Sequence, residues 1–337
     1  MADKIYRYWI MVPSGLEEVA LDELRDRVPH LQGVKVEKGG RLGQIFFTFE
    51  RSPIQLAGLR SAVQLAGLVG EIHRVTVGRP GLENICSRVA RFDLAAVVSL
   101  ARTQAPEIDT GAFTLSATLQ GRYRFSTSEL VRAVAGVLRE KHGLREGQGS
   151  RLLRFHLQVT GRRALLGLRL GEGVSPNAAV AFCLARLLAI QPGARVLWTR
   201  RDRRELVALH SFFAPGLLVG VAPARINNGN KKAPPSLVAT RDQLPLKGDF
   251  FDYVLGYAAE DYAAELAELA RILRFGGVAI IQVARIDRFI NVLEAEDYPF
   301  VVLANLDFQE HGRRYGLLIL ERLEEYDPGL IQVAWDV

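Results

Sequence analysis

Residues 251–283 read FDYVLGYAAEDYAAELAELARILRFGGVAIIQV, and this stretch decides the fold of the chain's C-terminal half. Tyr253 to Tyr257 has strand composition, Tyr262 to Leu273 reads as a helix, Gly276-Gly277 ends it, and Val278 to Val283 is a second apolar strand. A strand, a helix and a strand in that order make a parallel crossover. Upstream, Ala178 to Ile190 is a helix, Ala194 to Trp198 a short buried strand, Arg203 to Phe212 a helix and Leu217 to Val221 a second strand. Pro223 to Pro235 is a polar loop, and Ser236 to Thr240 is a third strand. Downstream, Arg288 to Ala295 is a helix, and Phe300 to Leu306 with Tyr315 to Arg322 forms an antiparallel pair. Strands alternating with helices define an α/β, mostly parallel sheet with an antiparallel edge.

The N-terminal half follows a different rhythm. Tyr6 to Val12 is a strand, Pro13-Ser14-Gly15 a turn, and Leu16 to Val28 a helix. Gly33 to Glu37 and Gln44 to Phe49 are paired strands, and this β-α-β-β order is half of a ferredoxin-like unit. Ser52 to Val69, with Leu56, Leu59, Val63 and Leu68 near one face, reads as a linking helix. A second unit starts near residue 70. Leu82 to Val89 and Leu94 to Ala101 are helical, and Phe113 to Leu119 alternates as a strand does. Ser128 to His142 is an amphipathic helix behind the N-cap candidates Ser126-Thr127-Ser128. Leu152 to Val159 and Ala164 to Leu170 are strands around a turn at Thr160-Gly161.

The 337 residues suit two to three domains. Hydrophobic residues at 49% and charged residues at 24% are ordinary for a globular chain of this size, which needs no disulfide staple. The net charge of +6 is compatible with a polyanionic partner, and the basic residues are overwhelmingly Arg, which suits phosphate. Genome composition or a hot habitat accounts for that bias equally well. Cys86 and Cys183 lie far apart and read as free thiols in a reducing cytoplasm. No pair among the six histidines has metal-ligand spacing, so no metal is expected. The opening MADKIYRYWIMVPSG does not read as a signal peptide. The apolar stretch from Ala178 to Ile190 is too short to span a bilayer.

Three stretches carry a family resemblance. Val12-Pro-Ser-Gly-Leu-Glu-Glu-Val19 with Leu59-Arg60-Ser61-Ala62 is one. Phe113 to Leu170, with Gly121, Phe125-Ser126 and Gly136, is the second. Residues 173 to 325, with Phe251-Asp252-Tyr253-Val254 and Arg274-Phe275-Gly276-Gly277-Val278, are the third. Together they resemble the THUMP-domain RNA methyltransferases, the guanine-N2 enzymes of tRNA and rRNA. The resemblance implies a ferredoxin-like domain and linker helix over 1–69, a THUMP RNA-binding domain over 70–172, and a Rossmann-like class I methyltransferase domain over 173–337.

The resemblance also implies a binding site for S-adenosylmethionine, and there the sequence departs from the family. The pattern Asp-Pro-x-Cys-Gly-x-Gly-Thr should follow the first strand, because side chains in that turn would block the donor. Here Trp198 stands in the acidic place, and Asp202 and Arg204 stand where the two glycines belong. Ala222 ends the second strand in place of the acid that holds the ribose hydroxyls. Tyr257-Ala258-Ala259-Glu260 replaces the Asn/Asp-Pro-Pro-Tyr/Phe motif that grips the acceptor amine. The expectation is a pseudoenzyme with no catalytic residue and no cofactor. S-adenosylmethionine would bind only if the donor loop is atypical but active. The Arg cluster at 200–204 is either a solvated helix start or a phosphate attractor.

The implied THUMP module supplies the candidate RNA contacts: Arg122, Tyr123, Arg124, Arg132, Arg139, Lys141, Arg145, Arg151 and Arg154. Phosphate contacts dominate nucleic-acid affinity and need such a basic surplus, and Arg122-Tyr123-Arg124-Phe125 interleaves charge with rings as base stacking would want. The expected partner is structured RNA, tRNA foremost, with a catalytic protein as a further partner and no membrane. A protein-interaction module that holds such an enzyme is the remaining alternative.

Overall fold

The computed structural model describes residues 6–28, 30–50, 53–199, 203–222, 236–238, 246–258, 261–310 and 312–324. They form two compact units. The first is built from described residues of Met1–Met11, Leu21–Glu37 and Gln44–Val174, the second from those of Val12–Ala20, Lys38–Gly43 and Ser175–Val337.

The first unit contains β1 (Tyr6–Pro13), α1 (Glu17–Arg27), β2 (Gln32–Glu37), β3 (Leu42–Phe49), β4 (Gln64–His73), α2 (Arg79–Val89), α3 (Ala95–Gln104), β5 (Asp109–Gln120), α4 (Thr127–His142), β6 (Arg145–Glu146), β7 (Leu152–Thr160) and β8 (Arg163–Arg169), with the ends of β1, α1 and β3 reaching into the second. The strands make one sheet in the order β2-β3-β1-β4-β8-β7-β5-β6. Its first four strands follow the ferredoxin-like order.

The linking helix expected over Ser52 to Val69 is not formed. Ser52 lies outside the described residues, Pro53–Leu56 makes a single 3-10 turn, and Gln64 onward is β4. Strand β4 pairs antiparallel with β1 on one edge and with β8 on the other. Its apolar residues are therefore buried on both faces, and a short continuous apolar run has no periodicity to tell strand from helix. The close packing of this strand is visible at Gly70, where a Cβ would overlap the Phe92 ring. The loop ahead of β4 is pinned by Glu23, 2% exposed. Its carboxylate accepts the backbone N–H of Arg60 and Ser61, each at 2.9 Å, and the Ser61 hydroxyl at 2.6 Å.

The second unit adds α5 (Pro176–Leu187), β9 (Arg195–Trp198), α6 (Arg203–Phe213), β10 (Leu217–Ala222), β11 (Ser236–Val238), β12 (Phe251–Tyr257), α7 (Tyr262–Ile272), β13 (Leu273–Val283), α8 (Ile286–Ala295), β14 (Phe300–Glu310) and β15 (Arg313–Arg322). The strand order is β11-β10-β9-β12-β13-β15-β14. The first five are parallel, and β15 joins antiparallel, as the alternation of elements and the closing hairpin required. One sheet face buries Val196, Trp198, Leu255, Ile280 and Leu317 with residues of α5 and α6. The other buries Leu197, Val254, Ala279 and Ile281 with residues of α7 and α8. Asp252, at the start of β12, ties the amino ends of the strands: it accepts from the Arg195 backbone N–H at 2.6 Å and pairs with the guanidiniums of Arg195 and Arg274. Burial would raise its carboxyl, but the hydrogen bonds from Arg195 outweigh it and hold the group below the usual range. No described helix is long and apolar enough to cross a membrane.

The turn Pro13-Ser14-Gly15 belongs to this second unit. Leu16 and Val19 join the core under α5, and the Ser14 carbonyl accepts the Gln309 N–H at 3.2 Å. Strand β14 is the sheet's edge. Its outer rim is covered there and is bent by a register shift around Leu303, two devices that blunt an edge against stray pairing. Gly15 has φ +89, and a Cβ on it would run into the Asp307 carbonyl oxygen and come within 2.9 Å of the Phe308 Cα. Gly15→Ala should therefore cost about 2–3 kcal/mol, from the left-handed backbone and the displaced strand. Urea unfolding checks this; a loss under about 0.5 kcal/mol, the size of an ordinary surface change, would mean that the turn does not lean on β14.

Candidate functional site

In an open parallel sheet, ligands bind beyond the carboxyl ends of the strands, where the strand order reverses. Here the chain runs outward from β9 to β11 and returns to β12, so that point lies between β9 and β12. Trp198 closes β9 there. It is 1% exposed, sits in the core with Leu206, Leu209 and Leu255, and its indole N–H has no hydrogen-bond partner. Thr199 extends the pairing by donating its N–H to the Leu255 carbonyl at 2.8 Å. Its hydroxyl lies so close to β12 that a Cβ on Gly256 would stand 2.8 Å from it.

Of the other positions read from the sequence, Arg204 is exposed in the first turn of α6, and Tyr257 is 38% exposed at the end of β12. The backbone of Ala222 ends β10 beside Val238; its side chain and all of Asp202 lie outside the described residues. The sequence reading passed over Glu205, a carboxylate 2% exposed in the first turn of α6. Its only sequence signal is being the acid that follows Arg203-Arg204. It also missed the pair Gln282 and Glu310, joined at 3.2 Å on β13 and β14.

The candidate RNA contacts of the first unit spread along α4. The helix starts on a complete capping box: the Ser126 hydroxyl accepts the Glu129 N–H, and Glu129 accepts the Ser126 N–H. Those hydrogen bonds from Ser126, backbone first, hold the Glu129 carboxyl below its usual range. The 16 residues of α4 make it about 24 Å long. Arg122, Tyr123 and Arg124 stand at its amino end, and Arg139, Lys141, Arg145 and Arg151 near its carboxyl end. Arg132 and Arg139 lie on the face opposite the buried Leu130, Val134 and Leu138. Arg122, Arg124, Lys141 and Arg151 make no ion pair among the described residues. Arg139 and Arg145 pair loosely with Glu146 and Asp109, at 4.0 and 3.4 Å, contacts worth little in solvent.

Two members behave differently. The Tyr123 hydroxyl donates to the Gly161 carbonyl at 2.7 Å, and its ring packs on the buried Phe125. Arg154 alternates to the opposite sheet face and pairs with Glu172. On that face His156 is 8% exposed, its Nδ1 2.9 Å from the Ser116 hydroxyl. Burial, then the charge of Arg169, pushes it down to about 4. The unfolded chain thus binds a proton that the folded chain refuses between about pH 4 and 6.5, and stability falls as pH falls through that window. A His156→Phe variant should lose up to about 1.4 kcal/mol of this dependence per pH unit. Parallel stability curves for the two proteins from pH 4 to 6.5 would show that the ring is not buried neutral.

Fold and strand order make the second unit a class I methyltransferase fold, and solved structures agree. TrmN from Thermus thermophilus superposes with a TM-score of 0.68 at 20% identity, over 95% of this chain and 100% of that one. A possible methylase from Clostridium difficile 630 gives 0.62 at 10% identity, over 95% and 99%. SMU.472, a candidate methyltransferase complexed with SAH, gives 0.63 at 10% identity, over 96% and 100%. No family model matches the sequence, and no curated protein matches it significantly.

Proposed function

We propose that this chain is an RNA-binding relative of the THUMP methyltransferases whose catalytic half no longer transfers methyl groups. Residues 1–69 would be its ferredoxin-like part, 70–172 its THUMP module and 173–337 the degenerate methyltransferase domain. It would bind structured RNA, tRNA foremost, and present it to a catalytic protein.

One observation carries the reading: Trp198. A methyl donor needs an acid or an open turn at the end of the first strand, where its sulfonium and ribose can reach backbone and carboxylate. A buried indole inside the core offers neither. The exposed arginines in and around α4 support the RNA half, since phosphate contacts dominate such affinity. Calorimetric titration with S-adenosylmethionine should give no heat of binding up to about 1 mM, a ceiling equivalent to about −4 kcal/mol. Micromolar binding would sink the pseudoenzyme reading. Joint charge reversal of Arg122, Arg124 and Arg139 should weaken tRNA binding by roughly 10- to 100-fold and flatten its salt dependence by about one unit of slope per lost phosphate contact. Unchanged binding would remove α4 from the interface.

The active alternative has two observations in its favour: the likeness to SMU.472, which is complexed with SAH, and the buried Glu205, a carboxylate beside the switch point. The same titration decides between them. The remaining alternative, a protein-interaction module, predicts no salt-dependent RNA binding.

A further inference from the structure

The first sheet has two edges, and they are finished differently. At one end of the strand order, β6 is two residues long and offers little backbone to a second strand. At the other end, β2 runs for six residues as QGVKVE, with no proline, and Gln32 to Lys35 are all exposed. Val34 is one of few large apolar side chains left open, at 37% exposed. Among the described residues, β2 pairs with β3 alone. A strand edge of this kind is a template for another strand unless something blunts it.

The charges on this edge are self-complementary. Lys35, Val36 and Glu37 pair regularly with Phe46, Ile45 and Gln44, the one register shift falling before Lys35. Alternation therefore sets Lys35 and Glu37 on one face of the sheet and Val36 on the other, with the fully buried Ile45. The Lys35 ammonium lies 2.8 Å from the Glu37 carboxylate, which Arg163 anchors at 2.6 Å. A twofold axis that joins two such edges antiparallel stands perpendicular to the sheet and leaves every side chain on its own face. Opposed residues must share a face, so the axis passes through a residue and never between two. With the axis at Val36, Lys35 of each copy opposes Glu37 of the other. The four charges then alternate in sign around a ring, and the two Val36 side chains meet on the opposite face. With the axis at Lys35, two ammonium groups collide. With the axis at Val34, Lys35 faces only Gly33. Opposite charges across a strand pair stabilise it and like charges destabilise it, which selects Val36.

We propose that β2 is a dimerisation edge: two copies of this chain join antiparallel through β2 about an axis at Val36, so that the first sheet of each continues into that of the other. A lone lysine on an edge discourages pairing in general. A lysine matched by a glutamate two residues on admits its own antiparallel copy and penalises other strands, which makes the pair a specificity device. This interface goes beyond the RNA-binding reading and stands without it.

The test is sedimentation of the full chain over a concentration series. The wild type should pass from monomer to dimer as concentration rises. Lys35→Glu should weaken that association by at least roughly 10-fold, because four carboxylates then meet, whereas Lys35→Arg should keep it. The Lys35 side chain is 66% exposed, so neither change should move the unfolding midpoint. Cysteine cross-linking reads the register. Val36→Cys places two thiols directly across the axis, about 4.5–5.5 Å apart at Cα and inside disulfide range, and should give a covalent dimer on mild oxidation. Val34→Cys leaves them four residues out of step, roughly 14 Å, and should not. The wild type, with its own Cys86 and Cys183, is the control. A wild type that stays monomeric throughout the series overturns the proposal, as does a Lys35→Glu protein that associates like the wild type. Cross-linking through Val34→Cys and not through Val36→Cys overturns it too, since the axis then lies elsewhere.

Discussion

Strand β9 is paired on both edges, with β10 and β12, and its Val196, Leu197 and Trp198 are buried, at 0%, 0% and 1% exposed, between helices on both faces. A charge in such a place costs several kcal/mol unless a partner comes with it. A working donor site accepts that cost by ending the strand in an acid and leaving the turn beyond it open. In this chain β9 ends without a charge. An indole fills the position, Thr199 continues the ladder, and Gly256 lets it approach. The Trp198 N–H stays without a hydrogen-bond partner, an unmade hydrogen bond of the order of 1–3 kcal/mol.

At the amino ends of the parallel strands, Asp252 holds Arg195 and Arg274, and Asp249 holds Arg322. At the carboxyl ends, Arg313 and Arg314 make no ion pair among the described residues, and Tyr257 is 38% exposed. The first unit shows a similar division. Arg163 is locked between Glu37 at 2.6 Å and Glu71, over the Phe46 ring. Burial would raise the Glu37 carboxyl, but the Arg163 and Lys35 hydrogen bonds keep it low. The arginines of α4, by contrast, face solvent. Firmly paired arginines and solvent-facing ones thus occupy separate places in the first unit.

Much of the fold was legible because long elements write their period into the sequence. Helix α4 announces itself by its cap and its apolar stripe, and the β12-α7-β13 unit by its order. Strand β4 did not, because a strand buried on both faces has no alternation to read. Its partners β1 and β8 are about 55 and 100 residues away in opposite directions, and only they decide its form. For the candidate site, the substitutions at 198, 204 and 257 were visible residue by residue. The pairing of Tyr257 with Tyr315, and of Gln282 with Glu310, was not, since each joins strands that no local signal connects.

The sequence by itself determined the order of elements, the crossover that makes the second sheet parallel, and the residue types standing where a donor loop would be. These follow from local periodicity, turn chemistry and the steric need for glycine. Tertiary structure alone decided that Trp198 is core rather than surface, that the turn at Ser14-Gly15 belongs with β14, and that Arg154 leaves the α4 surface for the other sheet face. Each depends on which distant backbone lies alongside, and hydrogen-bond register between strands is not encoded in any single segment.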